Sequence, residues 1–227
     1  MRLVLLDIDG TLLDCGRQSR PFFGEAMRDA FGVTGDVDNY DFAGRTDPGI
    51  AIGLLTAAGV PREEVIAALP RIRESYLARL EAGLDPAGMR LLPGVRPLLT
   101  RLSTRGDVLL GLLTGNWEAG ARIKLSRLGL DGFFRFGAYG SDGIEREELP
   151  PVALARAERL AGRPFAPEEA LIVGDSRFDV ACARAHGIPS LAVATGHTPA
   201  EALREAGADW VVADLVAAGE VVDLFTV

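Results

Sequence analysis

The run Asp7-Ile8-Asp9-Gly10-Thr11 sets two carboxylates one residue apart, directly behind the apolar stretch 3–6. Acids this close repel each other unless a cation or a proton comes between them, so the pair predicts a bound Mg²⁺ or one raised pKa. Gly10 allows the sharp turn such a motif needs; taken alone, the run is equally an Asp-Gly turn with Asp7 as a helix cap. A second polar group, Thr114-Gly115-Asn116, follows the apolar stretch 108–113. There a hydroxyl and backbone N–H groups at the head of a helix can hold a phosphate, or simply cap that helix. A third, Gly174-Asp175-Ser176-Arg177-Phe178-Asp179, follows 170–173, and Asp175 offers the additional oxygen ligand that a divalent cation at Asp7 requires.

The elements that must position these groups are short apolar runs at 3–6, 108–113, 170–173, 190–194 and 210–213, which read as strands buried on both faces of a parallel sheet. Helical spacing at 97–105, 118–128, 152–160, 178–186 and 199–206 supplies the crossovers, several closed by glycine. The fold class is therefore α/β, a doubly wound, mostly parallel Rossmann-like sheet, and all three polar groups fall at the carboxyl ends of its strands, where open α/β sheets bind ligands. The stretch from about 20 to 83 breaks the alternation. It carries helical patterns at 22–31, 49–58, 63–69 and 71–80 without a strand, and turn-forming residues flank it at 14–19 and 84–94. The division expected is a catalytic core of residues 1–15 and 90–227, with an inserted helical domain over 16–89.

The chain has 227 residues, is 48% hydrophobic and carries a net charge of −8, which is ordinary usage for a globular protein and unfavourable for a nucleic-acid partner. Cys15 and Cys182 form no CxxC pair, and the opening apolar run is too short for a leader or a membrane span. A cytoplasmic protein with no membrane attachment is expected, as a monomer or a homodimer.

DxDGT, TGN and GDxxxD, in that order on successive strand ends, resemble the haloacid dehalogenase-like hydrolase superfamily along the whole chain. The resemblance implies a helical cap over an α/β core and a Mg²⁺-dependent phosphatase acting on a small phosphoester. It makes Asp7 the nucleophile that forms an aspartyl-phosphate and Asp9 the general acid and base, whose carbonyl also faces the metal. Asp175 completes the Mg²⁺ site with Asp7 and Asp9, Asp179 orients Asp175 or a metal-bound water, and Thr114, Gly115 and Asn116 hold the phosphoryl oxygens. The family also supplies a cation ahead of its GD motif. The stretch 145–151 reads EREELPP, which makes Arg146 the positional candidate. Its rival is Lys124, the single lysine in a chain that otherwise uses arginine, a bias that suggests a compact ammonium is required there, and either cation is expected to reach the phosphate.

Residues 42–48, FAGRTDP, look like the substrate loop of the phosphoglycolate phosphatase and β-phosphoglucomutase branch, with Arg45 and Thr46 toward the substrate; Thr46 or Asp47 would equally serve as a helix N-cap. His186 reads as a helix end and His197 as a residue of the pocket rim. The runner-up activity is a phosphosugar mutase with the same catalytic set. A phospho-accepting signalling domain, from a different class, is disfavoured by the early position of DxDGT and by the helical insertion. Dehalogenation is disfavoured by the presence of Asp9, and phosphonate cleavage by the lack of a cap lysine.

Overall fold

The computed structural model describes residues 1–225. At its centre β1 (Arg2–Leu6) hydrogen-bonds on both sides, to β4 (Val108–Leu113) and β6 (Ala170–Gly174), and is buried along nearly its whole length. Its alternate residues feed two separate cores: Val4 and Leu6 pack on one face, Leu3 and Leu5 on the other. A strand covered on both faces has no polar side to present, which is why it reads as an unbroken apolar run. The sheet is parallel throughout, in the order β5 (Gly137–Ala138), β4, β1, β6, β7 (Ser190–Val193), β8 (Trp210–Val212). The chain changes direction beside β1, so the carboxyl ends of β4, β1 and β6 open onto the crevice of a doubly wound sheet. Register then places the polar groups together: Leu6 lies opposite both Leu112 and Val173, so Asp7, Thr114 and Asp175 emerge within one residue of each other along the edge.

The crossover helices α4 (Val95–Ser103), α5 (Glu118–Arg127), α6 (Leu149–Ala161), α7 (Arg177–Ala185) and α8 (Ala200–Glu205) lie close to their expected positions. A further helix, α9 (Leu215–Phe225), follows β8 and buries Leu215, Ala218 and Val222 in the core.

Between β1 and β4 the chain passes through β2 (Leu13–Asp14), three helices and β3 (Arg90–Leu91). β2 and β3 pair antiparallel as a ribbon of two residue pairs, Leu13 with Leu91 and Asp14 with Arg90. The helices are α1 (Ser19–Phe31), α2 (Asp47–Ala57) and α3 (Arg62–Gly83). The two helical stretches expected at 63–69 and 71–80 are one helix: α3 runs through Pro70, burying Val65, Ala68, Ile72, Tyr76 and Leu80 along one stripe on both sides of the proline. Burial of that stripe outweighs the single backbone hydrogen bond a proline removes. The insertion lies over the edge of the core through an aromatic group in which Trp117 stacks on Phe23 of α1 at 5.7 Å and sits 5.8 Å from Tyr76 of α3.

Candidate active site

Asp7 continues directly from β1, its N–H donating to the Val173 carbonyl at 2.9 Å. Its carboxylate points into a buried group of acids, for oxygens of Asp7, Asp175 and Asp179 lie within 4.8 Å of one another. Glycines make this crowding feasible. A Cβ at Gly196 would sit 1.7 Å from Asp175 Oδ2, and one at Gly174 would sit 2.1 Å from Asp179 Cγ. Gly10, in the left-handed region at φ +83°, turns the chain away so that Asp175 passes within 2.4 Å of where its side chain would be. Thr11 donates its hydroxyl to Asp175 Oδ1 at 3.1 Å. Asp179 and Ser176 form a reciprocal cap at the start of α7.

One cation serves this group. Arg146, on a 3₁₀ turn over Arg146–Glu148, places its Nη2 3.1 Å from Asp7 Oδ1, against Asp179 Oδ1, and 3.1 Å from the Leu113 carbonyl. Its Nη1 reaches back to the Gly44 carbonyl of the insertion at 3.2 Å. One guanidinium cannot neutralise three buried carboxylates. Burial pushes Asp7 up to about 6 even though Arg146 pulls it down, and burial together with Asp179 and Asp7 holds Asp175 well above the ordinary carboxylate range. Excess buried negative charge on hard oxygen donors fits a divalent cation.

Asp9 turns the other way. Its Oδ2 accepts from Lys124 Nζ at 2.7 Å and from Asn116 Nδ2 at 2.8 Å, and Lys124 also donates to Asn116 Oδ1 at 2.7 Å. Burial works against the Lys124 charge, but Asp9, with smaller contributions from Tyr76, Cys15 and Asp47, overrides it and raises the ammonium well above the usual lysine range. The two candidate cations are thus divided, Arg146 to Asp7 and Lys124 to Asp9.

Asp7, Asp9, Thr114, Gly115, Asn116, Lys124, Arg146, Asp175, Arg45 and His197 line one cavity of about 330 Å³ between core and insertion. Arg45 is exposed to it, its guanidinium 4.8 Å from the centre of the Phe178 ring and 5.5 Å from that of Tyr40. Thr46 is outside the lining: its hydroxyl accepts from Gly49 N–H at 3.0 Å as the N-cap of α2 and donates to the Ile144 carbonyl. His186 ends α7, away from the cavity, against the Glu147 carbonyl. Asp47 has an unanticipated place. Its N–H donates to Gly115 O at 2.7 Å and its Oδ2 accepts from Trp117 N–H at 2.8 Å, which pins the insertion to the loop carrying Thr114. The Arg45 carbonyl lies 2.0 Å from where a Cβ on Gly115 would be, so the TGN glycine is what allows the two parts to approach this closely.

Comparison with known proteins agrees with this geometry. The profile described as haloacid dehalogenase-like hydrolase matches residues 1–187. Phosphoglycolate phosphatase 1 of Pseudomonas aeruginosa is 30% identical over 210 residues, covering 90% of this chain and 73% of the relative. Tyrosine-protein kinase PtkA of Mycobacterium tuberculosis is 32% identical over 201 residues, covering 88% of this chain and 64% of the relative. The crystal structure of a predicted phosphatase from Clostridium acetobutylicum superposes with a TM-score of 0.74 at 20% identity over 98% of both chains, a likeness of fold.

Proposed function

The chain belongs to the haloacid dehalogenase-like hydrolase family, and from that premise we propose that it is a Mg²⁺-dependent phosphatase of a small phosphorylated metabolite, with Asp7 as nucleophile. The observation that carries this reading is the division of the two acids: Asp7 and Asp9 line one cavity, yet each is committed to its own cation.

An Asp7 oxygen attacks phosphorus as the bond from phosphorus to the substrate oxygen breaks, and Asp9 gives its proton to that leaving oxygen. Water then attacks the aspartyl-phosphate while Asp9 takes a proton from it, restoring the Asp7 carboxylate and the Asp9 acid and releasing phosphate. Thr114 and the Gly115 N–H hold the phosphoryl oxygens during both displacements, and Arg146 fixes the Asp7 carboxylate in the attacking position. Asp7, Asp175 and the Asp9 carbonyl are the groups that would hold Mg²⁺, which when bound supplies compensation for phosphoryl and carboxylate charge, while Asp179, its oxygens taken by Arg146 and Ser176, stands beside them. The insertion acts as a cap that excludes water from the intermediate, bending on the ribbon of β2 and β3.

The cavity volume suits a short ester. Arg45, braced on two rings and without a carboxylate partner among the described ion pairs, is placed to meet a second anionic group. Phosphoglycolate, the substrate named for the Pseudomonas relative, has that shape: one phosphate and one carboxylate. The buried, unpaired Cys15 and Cys182 suit a reducing cytoplasm.

Phosphate release from phosphoglycolate, sugar phosphates, nucleoside monophosphates and 4-nitrophenyl phosphate, with and without Mg²⁺, tests the reading. ATP with a tyrosine peptide serves as the rival assay. Metal-dependent release that Asp7→Asn abolishes is expected; transfer to the peptide, isomerisation of a sugar phosphate, or release that survives Asp7→Asn would replace it.

A further inference from the structure

Resting on the phosphatase reading above, we infer that Lys124 is a positioning residue for the acid-base step: with Asn116 it holds one oxygen of the Asp9 carboxyl and so aims the other at the substrate, and it does not grip the phosphate. The chain has 24 Lys and Arg residues, and position 124 holds the single lysine. That side chain is 5% exposed, in a site where Asp9, at 42%, still faces the cavity.

Local structure explains how the ammonium gets there. Long helical side chains lean toward the N-terminus and cover the residue one turn back. For Lys124 in α5 that residue is Gly120, which offers no side chain to obstruct the stem and is backed instead by Leu77 and Tyr76 of α3. The ammonium therefore reaches the loop ahead of α5, where Asp9 Oδ2 and Asn116 Oδ1 each accept from it at 2.7 Å. Asn116 is locked in turn, its Nδ2 donating to Asp9 Oδ2 at 2.8 Å and to Thr114 Oγ1 at 2.9 Å. Both donors converge on a single carboxylate oxygen, Oδ2. An oxygen that already accepts two hydrogen bonds is held in place, which fixes the plane of the carboxyl and leaves Oδ1 as the oxygen that exchanges a proton with the substrate. A guanidinium at 124 would be too wide and planar to sit between Asp9 and Asn116 as the ammonium does.

The chemistry follows atom by atom. In the first displacement Oδ1–H passes its proton to the leaving oxygen as the phosphorus bond to that oxygen breaks. In the second, Oδ1 takes a proton from the water that attacks phosphorus. Removing Lys124 lets the carboxyl rotate, which harms only those steps that need Asp9. Formation of the aspartyl-phosphate from an ester with a good leaving group needs it little.

The test compares wild type with Lys124→Met on 4-nitrophenyl phosphate and on the alkyl phosphomonoester that wild type turns over fastest, by rapid mixing in Mg²⁺. In Lys124→Met the alkyl ester should lose on the order of 100-fold in kcat, the low end of a general-acid contribution, with KM within about 2-fold and no burst. 4-Nitrophenyl phosphate should instead give a burst of nitrophenolate approaching one per enzyme, followed by slow turnover as the aspartyl-phosphate waits for its base. Lys124→Gln, which keeps an N–H toward Oδ2, should recover part of the alkyl rate, and it carries the same comparison if methionine destabilises the fold. Equal losses on both esters, with raised KM and weakened inhibition by inorganic phosphate, would assign Lys124 to phosphate gripping and overturn the inference, as would wild-type rates on both. A wild type inactive on every ester overturns the phosphatase reading itself, and this inference with it.

Discussion

Arg146→Met removes the guanidinium that stands between Asp7 and Asp179, where the three side chains are only 4%, 6% and 3% exposed. Unit charges about 4 Å apart attract by ~4 kcal/mol at an effective dielectric of ~20, so the two contacts together amount to about 8 kcal/mol. Part of this is offset because the variant no longer buries a guanidinium, and breaking a buried pair from one side typically destabilises by about 3–5 kcal/mol. For a chain of this length that corresponds to a melting temperature lower by roughly 10 °C. The pH dependence is a sharper check. Burial already pushes Asp7 up to about 6 in the presence of Arg146, and losing the arginine raises it further. A carboxyl whose folded pKa exceeds its unfolded value contributes stability that is complete below the unfolded value, near 4, and lost as pH climbs through the folded one. The deficit of the variant relative to wild type should therefore be widest at pH 7.5 and narrow at pH 5, measured by urea and thermal unfolding in chelator. A deficit below about 1 kcal/mol, or one that widens on acidification, would refute the reasoning.

Gly115→Ala places a methyl 2.0 Å from the Arg45 carbonyl, so the insertion must lift from the TGN loop. Turnover should fall by about 10-fold or more while melting changes by only a few degrees, and unchanged turnover would show that the close approach is dispensable. Asp47, pushed up to about 7 by burial against the pull of Lys124, loses its stability contribution between about pH 4 and pH 7. Asp47→Asn keeps an acceptor for the Trp117 N–H and cannot ionise, so it should be close to neutral at pH 4.5 and stabilising by about 4 kcal/mol at pH 8 in urea unfolding, and equal effects at both would contradict the shift. Addition of chelator to wild type should stop phosphate release, and Mg²⁺ should restore it.

The central strands were legible because both faces of β1, β4 and β6 are covered, leaving apolar runs that end abruptly at Asp7, Thr114 and Asp175. Runs of two residues, as in β2, β3 and β5, carry no periodicity to detect. The stretches 63–69 and 71–80 read as two helices for a related reason: a proline is unfavourable inside a helix, whereas the stripe from Val65 to Leu80 is rewarded only once α3 packs. Asp7, Asp9 and Asp175 could be read from their places at strand ends. The assignment of Arg146 to Asp7 and Lys124 to Asp9 could not, since it depends on a 3₁₀ turn approaching from one side and a helical stem from the other. Asp47 was visible only as an alternative cap, and its bonds to Gly115 and Trp117 join residues about 70 positions apart. Thr11 closes the DxDGT motif and Gly196 precedes His197, and their work of enclosing Asp175 appears only with the strands in register.

The ribbon of two residue pairs at Leu13–Leu91 and Asp14–Arg90 makes the chain modular. Entry and exit are side by side, so everything between them can be cut out and another helical segment spliced in without rethreading a strand of the large sheet. A graft must meet few conditions at the junction: the two-pair register, the Asp14–Arg90 ion pair that closes it, and a backbone that can lie against Gly115 without a clash. Selectivity for the ester's organic portion would then travel with the transplanted segment, while the acids that act on phosphorus stay with the host.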